Sequence, residues 1–244
     1  MIQVNGLSLA YHGANEGHVL ENLTFSAHQG QKIALIGANG AGKSTLLLAL
    51  AGVLPVHGGE IWIDGIKVEQ NNLAAVRRRA GLVFQNPDDQ LFMPTIGEDV
   101  LFGPRNYARL DSKSPAAAAA SIAEAERKAD GLLAALGIAG LKTRVSHKLS
   151  GGEKRLAALA SVLVMEPALL MLDEPTAFLD PKGRRGLIAV LNGLPHTMLI
   201  ATHDMDFARA VCSHALILAG KTIRAAGPAA ALLADAALLE ACGL

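Results

Sequence analysis

The fold of this chain is decided by the stretch Gly37-Ala38-Asn39-Gly40-Ala41-Gly42-Lys43-Ser44-Thr45. It follows the apolar run Lys32-Ile33-Ala34-Leu35-Ile36 and precedes the apolar run Leu46-Leu47-Leu48-Ala49-Leu50-Ala51. A strand, a loop and a helix are therefore predicted in that order. The pattern Gly-x-x-x-x-Gly-Lys-Ser in this context predicts a phosphate-binding loop.

Each residue type in this loop has a physical role. Gly37, Gly40 and Gly42 can take backbone angles that a Cβ would forbid, so successive N–H groups can turn toward phosphate oxygens at a helix N-terminus. Lys43 adds a positive charge near the β- and γ-phosphates, and Ser44 offers a hydroxyl to Mg²⁺. The alternative is a Gly-rich turn with a solvated lysine, but all four fixed positions agree with the pattern. We predict a site for a Mg-nucleotide.

The composition favours an α/β protein with an aliphatic core. The chain has 244 residues, of which 51% are hydrophobic and only 4% aromatic. Lys plus Arg (22) equals Asp plus Glu (22), so the net charge favours neither nucleic acid nor an anionic membrane surface as a partner. Cys212 and Cys242 lie in apolar surroundings without metal-ligand spacing, which predicts buried reduced thiols and a cytoplasmic protein.

Neither a signal peptide nor a membrane span is expected. The start Met1-Ile2-Gln3-Val4-Asn5 has no basic region followed by an apolar core. The longest apolar stretches are interrupted by Gly52, Glu166 or Pro167 before they reach the roughly 18 to 20 residues of a transmembrane helix.

Alternation and turns divide the rest of the chain into three regions. Up to about residue 65 we predict short strands at Ile2 to Val4, Leu7 to Leu9, Leu23 to Ser26, Ile33 to Ile36 and Gly59 to Gly65. Alternation in several of them indicates an antiparallel sheet with one wet face. Residues 93–165 are predicted to be helical, with one helix beginning at Ser114-Pro115 and ending at Gly137. After Leu216 we predict a β-hairpin, followed by a single Ala/Leu-rich helix from about Pro228.

Polar side chains follow the predicted core strands at their ends. The run Gly81-Leu82-Val83-Phe84 leads into Gln85, Ala168 to Leu172 ends in Asp173-Glu174, and Thr197 to Thr202 ends in His203-Asp204. Ligand-binding residues of an α/β fold collect at this edge of the sheet. Adjacent carboxylates are costly to bury without a cation, so they predict a metal-phosphate site, and His203 falls at the same edge.

A second helix N-terminus is marked by Ser150-Gly151-Gly152-Glu153. Ser followed three residues later by Glu is a capping box, which predicts a helix that runs to about Met165. The positive end of such a helix can bind an anion. A plain helix cap is the alternative that this stretch alone leaves open.

Together these motifs resemble the ATP-binding cassette (ABC) ATPase family over nearly the whole chain. Leu149-Ser150-Gly151-Gly152-Glu153 is similar to the signature motif of that family, and it lies just before Leu-Leu-Met-Leu-Asp-Glu-Pro, as in the family pattern. The resemblance implies a single P-loop NTPase domain over residues 1–244, with a mixed sheet and an antiparallel β subdomain. It also implies an α/β core at residues 1–92 and 166–244 and an inserted helical subdomain at residues 93–165.

The resemblance also implies a role for each site residue. Tyr11 would stack on adenine, and the loop from Gly37 to Thr45, including Asn39, would hold the phosphates of ATP. Ser44 and Gln85 would bind Mg²⁺, which Asp173 would support through water. Glu174 would orient and deprotonate the attacking water, and His203 would contact the γ-phosphate, with Lys43 completing the catalytic set.

Two cassettes of this family pair head to tail, as a homodimer or with a homologous chain. The resemblance implies that Ser150, Gly151 and Gly152 of one cassette complete the ATP site of the other, and that Asp180 links the two sites. The sequence departs from the pattern at Phe178, where small residues are more usual.

A finer resemblance concerns the string from Asn86 to Phe92 with Thr95, Glu98 to Val100 and Phe102-Gly103-Pro104. It is similar to the ATPases of energy-coupling factor (ECF) transporters, and Leu149 to Leu156 is most similar to the cobalt and nickel importers, with biotin importers close behind. This implies a membrane-embedded scaffold subunit, a substrate-binding membrane subunit and a peripheral position on the cytoplasmic face. We expect Leu91, Phe92 and Met93 to line the groove for the scaffold.

Two other functions are alternatives for a chain with these motifs. A soluble ABC ATPase that acts on nucleic acid or ribosomes would usually carry two cassettes or a coiled-coil insertion, and often a basic face, so no nucleic acid partner is expected. A degenerate cassette would bind ATP without hydrolysis, but Lys43, Gln85, Ser150, Glu174 and His203 are all present.

Overall fold

The computed structural model describes residues 2–10 and 17–244. They form two compact units. The first comprises Met1–Leu82, Pro167–Thr176 and Leu191–Leu244, and the second comprises Val83–Glu166 and Ala177–Val190. The helical subdomain predicted over residues 93–165 falls within the second unit.

Two sheets are formed by ten strands of the described residues. A four-stranded sheet has the order β2-β1-β4-β5, and a six-stranded sheet has the order β10-β9-β3-β8-β7-β6. The strands are β1 (Ile2–Leu9), β2 (Leu20–Ala27), β3 (Lys32–Ile36), β4 (Gly58–Ile63), β5 (Ile66–Lys67), β6 (Ala80–Val83), β7 (Leu169–Asp173), β8 (Thr197–Thr202), β9 (His214–Ala219) and β10 (Thr222–Pro228).

The four-stranded sheet is antiparallel, as its alternating sequence predicts. The strand β1 alternates buried and exposed residues, so one face is apolar and the other is wet. The two strands predicted at Ile2 to Val4 and Leu7 to Leu9 are one strand. Its pairing with β2 shifts in register between Val4 and Leu7, where the φ of 59° at Gly6 allows a bulge, and again between Leu7 and Leu9.

The six-stranded sheet has parallel pairs at its centre. The strand β3 pairs in parallel with β8 and β9, and β7 pairs in parallel with β8. Both β7 and β8 are buried almost throughout, which agrees with their continuous apolar sequences. The carboxyl ends of β3, β8 and β7 consequently meet at one edge, where Ile36 is paired with Thr202 and Asp173 with Ala201.

One apolar core fills the first unit. It joins the inward residues of the antiparallel sheet, helix α1 (Lys43–Leu50) and alternate residues of β7, β8 and β9. The helix α1 is buried on nearly every side, including Leu46, Leu47 and Leu50, which are fully buried. The loop that precedes α1 is therefore anchored to the centre of the core.

The other helices of the described residues follow in chain order. Two in the second unit confirm predicted starts, because Ser114 caps α4 through its side chain and Ser150 caps α5. The helices are α2 (Leu73–Arg79), α3 (Ile96–Asp111), α4 (Pro115–Ala135), α5 (Gly151–Leu163), α6 (Pro181–Gly193), α7 (Met205–Val211), α8 (Ala229–Leu232) and α9 (Ala236–Ala241), with 3₁₀ turns at Gln70–Asn72, Pro87–Asp89, Ala139–Leu141 and Ser146–Lys148.

Two expectations about the C-terminal part were wrong. The predicted single helix after Pro228 is two short helices, because Asp235 leaves the helical conformation and caps α9 by accepting a hydrogen bond from the N–H of Leu238. Cys212 is buried as predicted, and burial raises the pKa of its thiol to about 12. Cys242 is only half-buried. Both thiols are free.

Among residues 2–10 and 17–244, the helices are all too short or too polar to cross a lipid bilayer. This agrees with the expectation from the interrupted apolar runs.

Candidate functional site

The loop between β3 and α1 has the conformation that its glycines predict. Gly40 and Gly42 have φ values of 78° and 96°, in the left-handed region that residues with a Cβ rarely adopt. At Gly37 the constraint is space, because a Cβ would lie 2.7 Å from the carbonyl oxygen of Leu218. The loop therefore packs closely against β9, and glycine is the residue that fits at these three positions.

The first turn of α1 has no side-chain cap. The helix has Gly42 as its N-cap, which offers no side chain to hydrogen-bond the first N–H groups. Ala38, Asn39 and Gly40 are exposed, as is Ser44 on the first turn of the helix, while Thr45 is buried. An uncapped and partly exposed helix N-terminus favours a bound anion such as a phosphate group.

Lys43 is held inside the loop that it follows. Its side chain is buried, and its Nζ donates hydrogen bonds to the carbonyl oxygens of Gly37 at 2.7 Å and Ala38 at 3.3 Å. The same Nζ lies 3.6 Å from Oε1 of Glu174. The ammonium group thus sits between the loop and the catalytic carboxylate predicted from the sequence.

Glu174 connects the ends of two neighbouring strands. Its N–H donates to the carbonyl oxygen of Ala201 on β8 at 2.8 Å, which extends the β7–β8 ladder by one residue. Its φ is 41°, a left-handed conformation that costs of the order of 1 kcal/mol for a residue other than glycine. This conformation turns the carboxylate toward Lys43 and His203.

The carboxylate of Glu174 is buried, and His203 is its solvent-side neighbour. Nδ1 of His203 lies 2.9 Å from Oε2 of Glu174, and the N–H of His203 donates to the same oxygen at 3.3 Å. Asp204 then caps α7 by accepting a hydrogen bond from the N–H of Phe207. Lys43, Glu174 and His203, which are separated by up to 160 residues, therefore lie together.

These residues fit ATP and its metal ion. The glycine loop with the N-terminus of α1 supplies donors for phosphates, and Ser44 and Asp173 supply oxygens of the kind that Mg²⁺ prefers. In residues 2–10 and 17–244, His, Cys, Asp and Glu side chains form no cluster of three or more that could hold a metal on its own.

The signature stretch forms the N-terminus of α5 in the second unit. The predicted capping box is present: Oγ of Ser150 accepts from the N–H of Glu153 at 3.3 Å, and Oε2 of Glu153 accepts from the N–H of Ser150 at 2.8 Å. These bonds from Ser150 lower the pKa of the Glu153 carboxyl.

A cavity of about 590 Å³ adjoins this helix start within the second unit. It is lined by Ser150, Gly151 and Gly152 together with Phe178, Asp180 and residues of α6. Asp180 caps α6 by accepting a hydrogen bond from the N–H of Gly183 at 2.7 Å. The signature residues and Asp180, which the sequence assigned to one interface, thus share one cavity.

Gln85 and Tyr11 are the two other residues that were predicted to belong to the site. Gln85 is exposed and follows β6 in the second unit, whereas Ser44 and Asp173 belong to the first unit. The predicted adenine-stacking residue, Tyr11, lies outside the described residues.

Two features of the site were not predicted from the sequence. The contact between Lys43 and Glu174 depends on how two distant strand ends are paired, which no local pattern shows. Arg155, just beyond the signature stretch, is 1% exposed and contacts the loop of Gln85. Arg155 follows Glu153 and Lys154 directly, so the local sequence contained no signal that this one charged residue is buried.

Comparison with known proteins assigns the family. The model of the family described as ABC transporter matches residues 20–177. A chain of Streptomyces coelicolor that bears an ABC transporter ATP-binding protein name is 46% identical over 241 residues, covering 98% of this chain and 87% of its own length.

An energy-coupling factor transporter ATP-binding protein, EcfA of Carboxydothermus hydrogenoformans, is 38% identical over 246 residues, covering 100% of this chain and 86% of its own. The solved structure of cbiO1 from Clostridium perfringens, described as part of the ABC transporter complex cbiONQ, matches with a TM-score of 0.80 at 32% identity, covering 98% of this chain and 93% of that chain.

The chain belongs to the ABC transporter family and has the fold of its ATP-binding cassettes, so it is an ATP-binding subunit with ATPase activity. The predicted fold class and enzyme class are therefore confirmed.

Proposed function

We propose that this chain is the ATP-binding and hydrolysing subunit of an ECF-type importer, and that its substrate is a cobalt or nickel ion. The observation that carries the hydrolytic part is the buried carboxylate of Glu174 between Lys43 and His203. The transporter type is supported by the similarity to EcfA of Carboxydothermus hydrogenoformans and to cbiO1 of Clostridium perfringens.

In this proposal Glu174 orients and deprotonates the attacking water, because its carboxylate is buried beside the phosphate loop between Lys43 and His203. Lys43 and His203 stabilise charge on the γ-phosphate, and the loop from Gly37 to Thr45 holds the phosphates. Ser44 and Gln85 bind Mg²⁺, with Asp173 supporting it through water. Phosphoryl transfer needs mainly positioning and charge stabilisation, which these groups supply.

The active form in this proposal is a head-to-tail dimer, with an identical or a homologous chain. Ser150, Gly151 and Gly152 of one cassette then complete the ATP site of the other, and Asp180 links the two sites. Support comes from the cavity that these residues share and from the positive end of α5 that faces it. ATP holds this dimer closed, and hydrolysis releases it.

The membrane scaffold subunit binds, in this proposal, beside the loop after Gln85. Support comes from a pair of exposed aromatic rings, Phe92 (63% exposed) and Phe102 (42%), whose centroids are 5.0 Å apart in an edge-to-face arrangement. The buried carboxylate of Asp99 fixes this surface by accepting hydrogen bonds from the N–H groups of Phe92 and Met93. We expected Leu91 to belong to this surface, but this prediction was wrong: Leu91 is 4% exposed and packs inside its own unit.

A peripheral position on the cytoplasmic face follows from binding to such a scaffold, and a substrate-binding membrane subunit completes the importer. The substrate itself touches the membrane subunits, so biotin or another vitamin is the alternative substrate for the same ATPase role.

Transport by the complete complex tests this proposal. The chain is expressed with the membrane subunits that copurify with it, and uptake of labelled cobalt, nickel and biotin is measured in vesicles. We expect metal-ion uptake that requires ATP and disappears in Glu174→Gln. Biotin uptake with the same dependence would replace the substrate, and ATP-independent uptake would overturn the proposed role in energising transport.

A control variant separates loss of energy from loss of assembly. Phe92→Ala should weaken copurification with the scaffold, whereas Leu110→Ala, which changes another exposed apolar residue (76% exposed) on α3, should not. Normal assembly and normal transport-coupled ATPase activity in Phe92→Ala would contradict the proposed docking surface.

A further inference from the structure

Arg155 is the largest fully buried side chain of the described residues, with 1% of its surface exposed. It lies on α5, five residues after Ser150, among apolar neighbours such as Ala158 and Leu159 that are also buried. Burial of a guanidinium is costly unless its N–H groups find acceptors. The acceptors of Arg155 should therefore indicate what it does.

Arg155 donates to two consecutive backbone carbonyl groups at the end of β6. One terminal nitrogen is 2.7 Å from the oxygen of Phe84, and the other is 2.6 Å from the oxygen of Gln85. Hydrogen bonds from a charged donor are stronger than neutral ones, and the planar fork of arginine fixes two acceptors at once. The backbone of Gln85 is thus held while its side chain remains exposed.

Two more contacts tie the same loop to α5. Oε1 of Gln90 accepts from the N–H of Phe84 at 3.2 Å, and Nε2 of Gln90 donates to the oxygen of Ala158 at 2.8 Å and to Oγ of Ser161 at 2.9 Å. Lys154 forms an ion pair with Asp88 at 2.6 Å. The loop of residues 84–90 is therefore fastened to one face of α5 at three points along its length.

We infer that Arg155 is a positioning residue for Gln85, because it holds the backbone from which the Gln85 side chain projects. This rests on the proposed function, in which Gln85 binds Mg²⁺.

Lysine cannot replace arginine in this arrangement. A lysine ammonium is a single point of charge, so it can approach the carbonyl oxygen of Phe84 or that of Gln85 but has no rigid fork for both. We expect Arg155→Lys to leave Gln85 displaced and the ATPase slow. A misplacement of about 1 Å in a catalytic group can cost on the order of a hundredfold in rate.

The test is a double-mutant cycle on the purified full-length chain, with Arg155→Lys, Gln85→Ala and both together. The readouts are kcat, KM for ATP, the Mg²⁺ concentration that gives half-maximal activity, and the Kd for Mg²⁺ measured by calorimetry with a non-hydrolysable ATP analogue, which needs no turnover. Arg155→Lys should lower kcat about tenfold or more and raise the Mg²⁺ requirement, with KM for ATP within about twofold. In the Gln85→Ala background it should have little further effect, because residues that act through each other are not additive. Arg127→Met, at an exposed arginine on α4, is the control.

The outcomes separate this inference from the proposed function. If Gln85→Ala leaves kcat and the Mg²⁺ requirement unchanged, the proposed role of Gln85 fails, and the inference fails with it. If Gln85→Ala impairs both but Arg155→Lys has no effect or an additive one, only the inference is overturned.

A second variant covers the case in which Arg155→Lys does not fold. Gln90→Met keeps the side-chain volume but removes the hydrogen bonds of Gln90 to Phe84, Ala158 and Ser161. It should raise the Mg²⁺ requirement in the same direction, and this effect should also vanish in the Gln85→Ala background. An unchanged Mg²⁺ requirement in a folded Gln90→Met chain would overturn the inference.

Discussion

Nδ1 of His203 and Oε2 of Glu174 lie 2.9 Å apart across the ends of two neighbouring strands. The same oxygen accepts the backbone N–H of His203, so the histidine contacts the carboxylate through both its ring and its main chain. Because the side chain of Glu174 is only 9% exposed, whereas that of His203 is 68% exposed, the imidazole covers the carboxylate on its solvent side. The two residues should therefore act as a unit in hydrolysis.

Glu174→Gln should abolish steady-state ATP hydrolysis while ATP still binds. The amide preserves the shape of the side chain but cannot accept a proton, and loss of a general base typically lowers the rate by about 10²- to 10⁴-fold. Phosphate release measures the rate, and size-exclusion chromatography with ATP should show an accumulated dimer. His203→Ala should also slow hydrolysis, with His147→Ala at an exposed histidine as the control. A hydrolysis rate in Glu174→Gln equal to that of the parent would remove Glu174 from the mechanism.

Lys43→Ala should weaken nucleotide binding itself. The buried ammonium is the fixed positive charge of the loop, and a charge-assisted contact to phosphate is among the stronger hydrogen bonds in proteins. We expect the Kd for ATP, measured by titration calorimetry, to rise about tenfold or more. Lys148→Ala, at an exposed lysine before the signature stretch, should leave the Kd unchanged. Equal ATP affinity in parent and Lys43→Ala would show that the loop holds phosphate through its amides alone.

Gly37→Ala and Gly131→Ala should have opposite effects on the free energy of unfolding. A Cβ at Gly37 would lie 2.7 Å from the backbone oxygen of Leu218, whereas a Cβ at Gly131 in α4 meets nothing within 4 Å. We expect a loss of about 1–3 kcal/mol for Gly37→Ala from overpacking. Gly131→Ala should gain about 0.5–1 kcal/mol, because alanine favours the helix. Urea denaturation measures both, and a neutral Gly37→Ala would mean that the loop can retreat from β9.

Lowering the pH should remove the contribution of the Glu153 carboxylate to the free energy of unfolding. Hydrogen bonds from Ser150 lower the pKa of Glu153 below its ordinary 4.5, so protons bind more weakly in the folded state than in the unfolded state. The contribution is fully present above pH 4.5 and is lost as the pH falls through the lower folded value. The difference in urea midpoint between parent and Glu153→Gln should therefore be largest near neutral pH and shrink on acidification. A difference that grows at low pH would contradict the assigned hydrogen bonds.

Phe178→Gly should stabilise the chain, whereas Phe178→Ala should not. Phe178 has a φ of 63° and is 81% exposed, so its ring contributes little packing while its Cβ strains the backbone. Glycine removes this strain, which is worth about 1 kcal/mol, and alanine retains it. Thermal unfolding of the two variants provides the comparison. Equal stability of the glycine and alanine variants would show that the loop relaxes around the Cβ.

Local patterns in the sequence were enough to predict much of the fold and several motifs of the candidate site. The phosphate loop, the capping box at Ser150 and the apolar strands that end in Glu174 and His203 are each defined by adjacent residues, so their prediction needed no tertiary information. The order of the pieces then identified the family pattern.

What the sequence did not predict depends on long-range pairing or on subtle backbone geometry. The contact of Lys43 with Glu174 requires the register of β3, β8 and β7, and the burial of Leu91 depends on the packing of its own unit. The bulge at Gly6 made one strand look like two. Asp235 was not recognised as a cap, so α8 and α9 were predicted as one helix.

The hydrogen bond from the N–H of Glu174 to the oxygen of Ala201 has a consequence for inserting or deleting residues. Because Asp173 is in register with Ala201, deleting one residue from β8 would pair Glu174 with a different carbonyl and reverse the side chains of that strand. The turn before β8, near Pro195, precedes the paired residues, so an insertion there does not change the register between β7 and β8. An affinity tag or fluorophore could be placed there with the carboxylate of Glu174 still in position, whereas a single-residue deletion a few positions later should inactivate the enzyme.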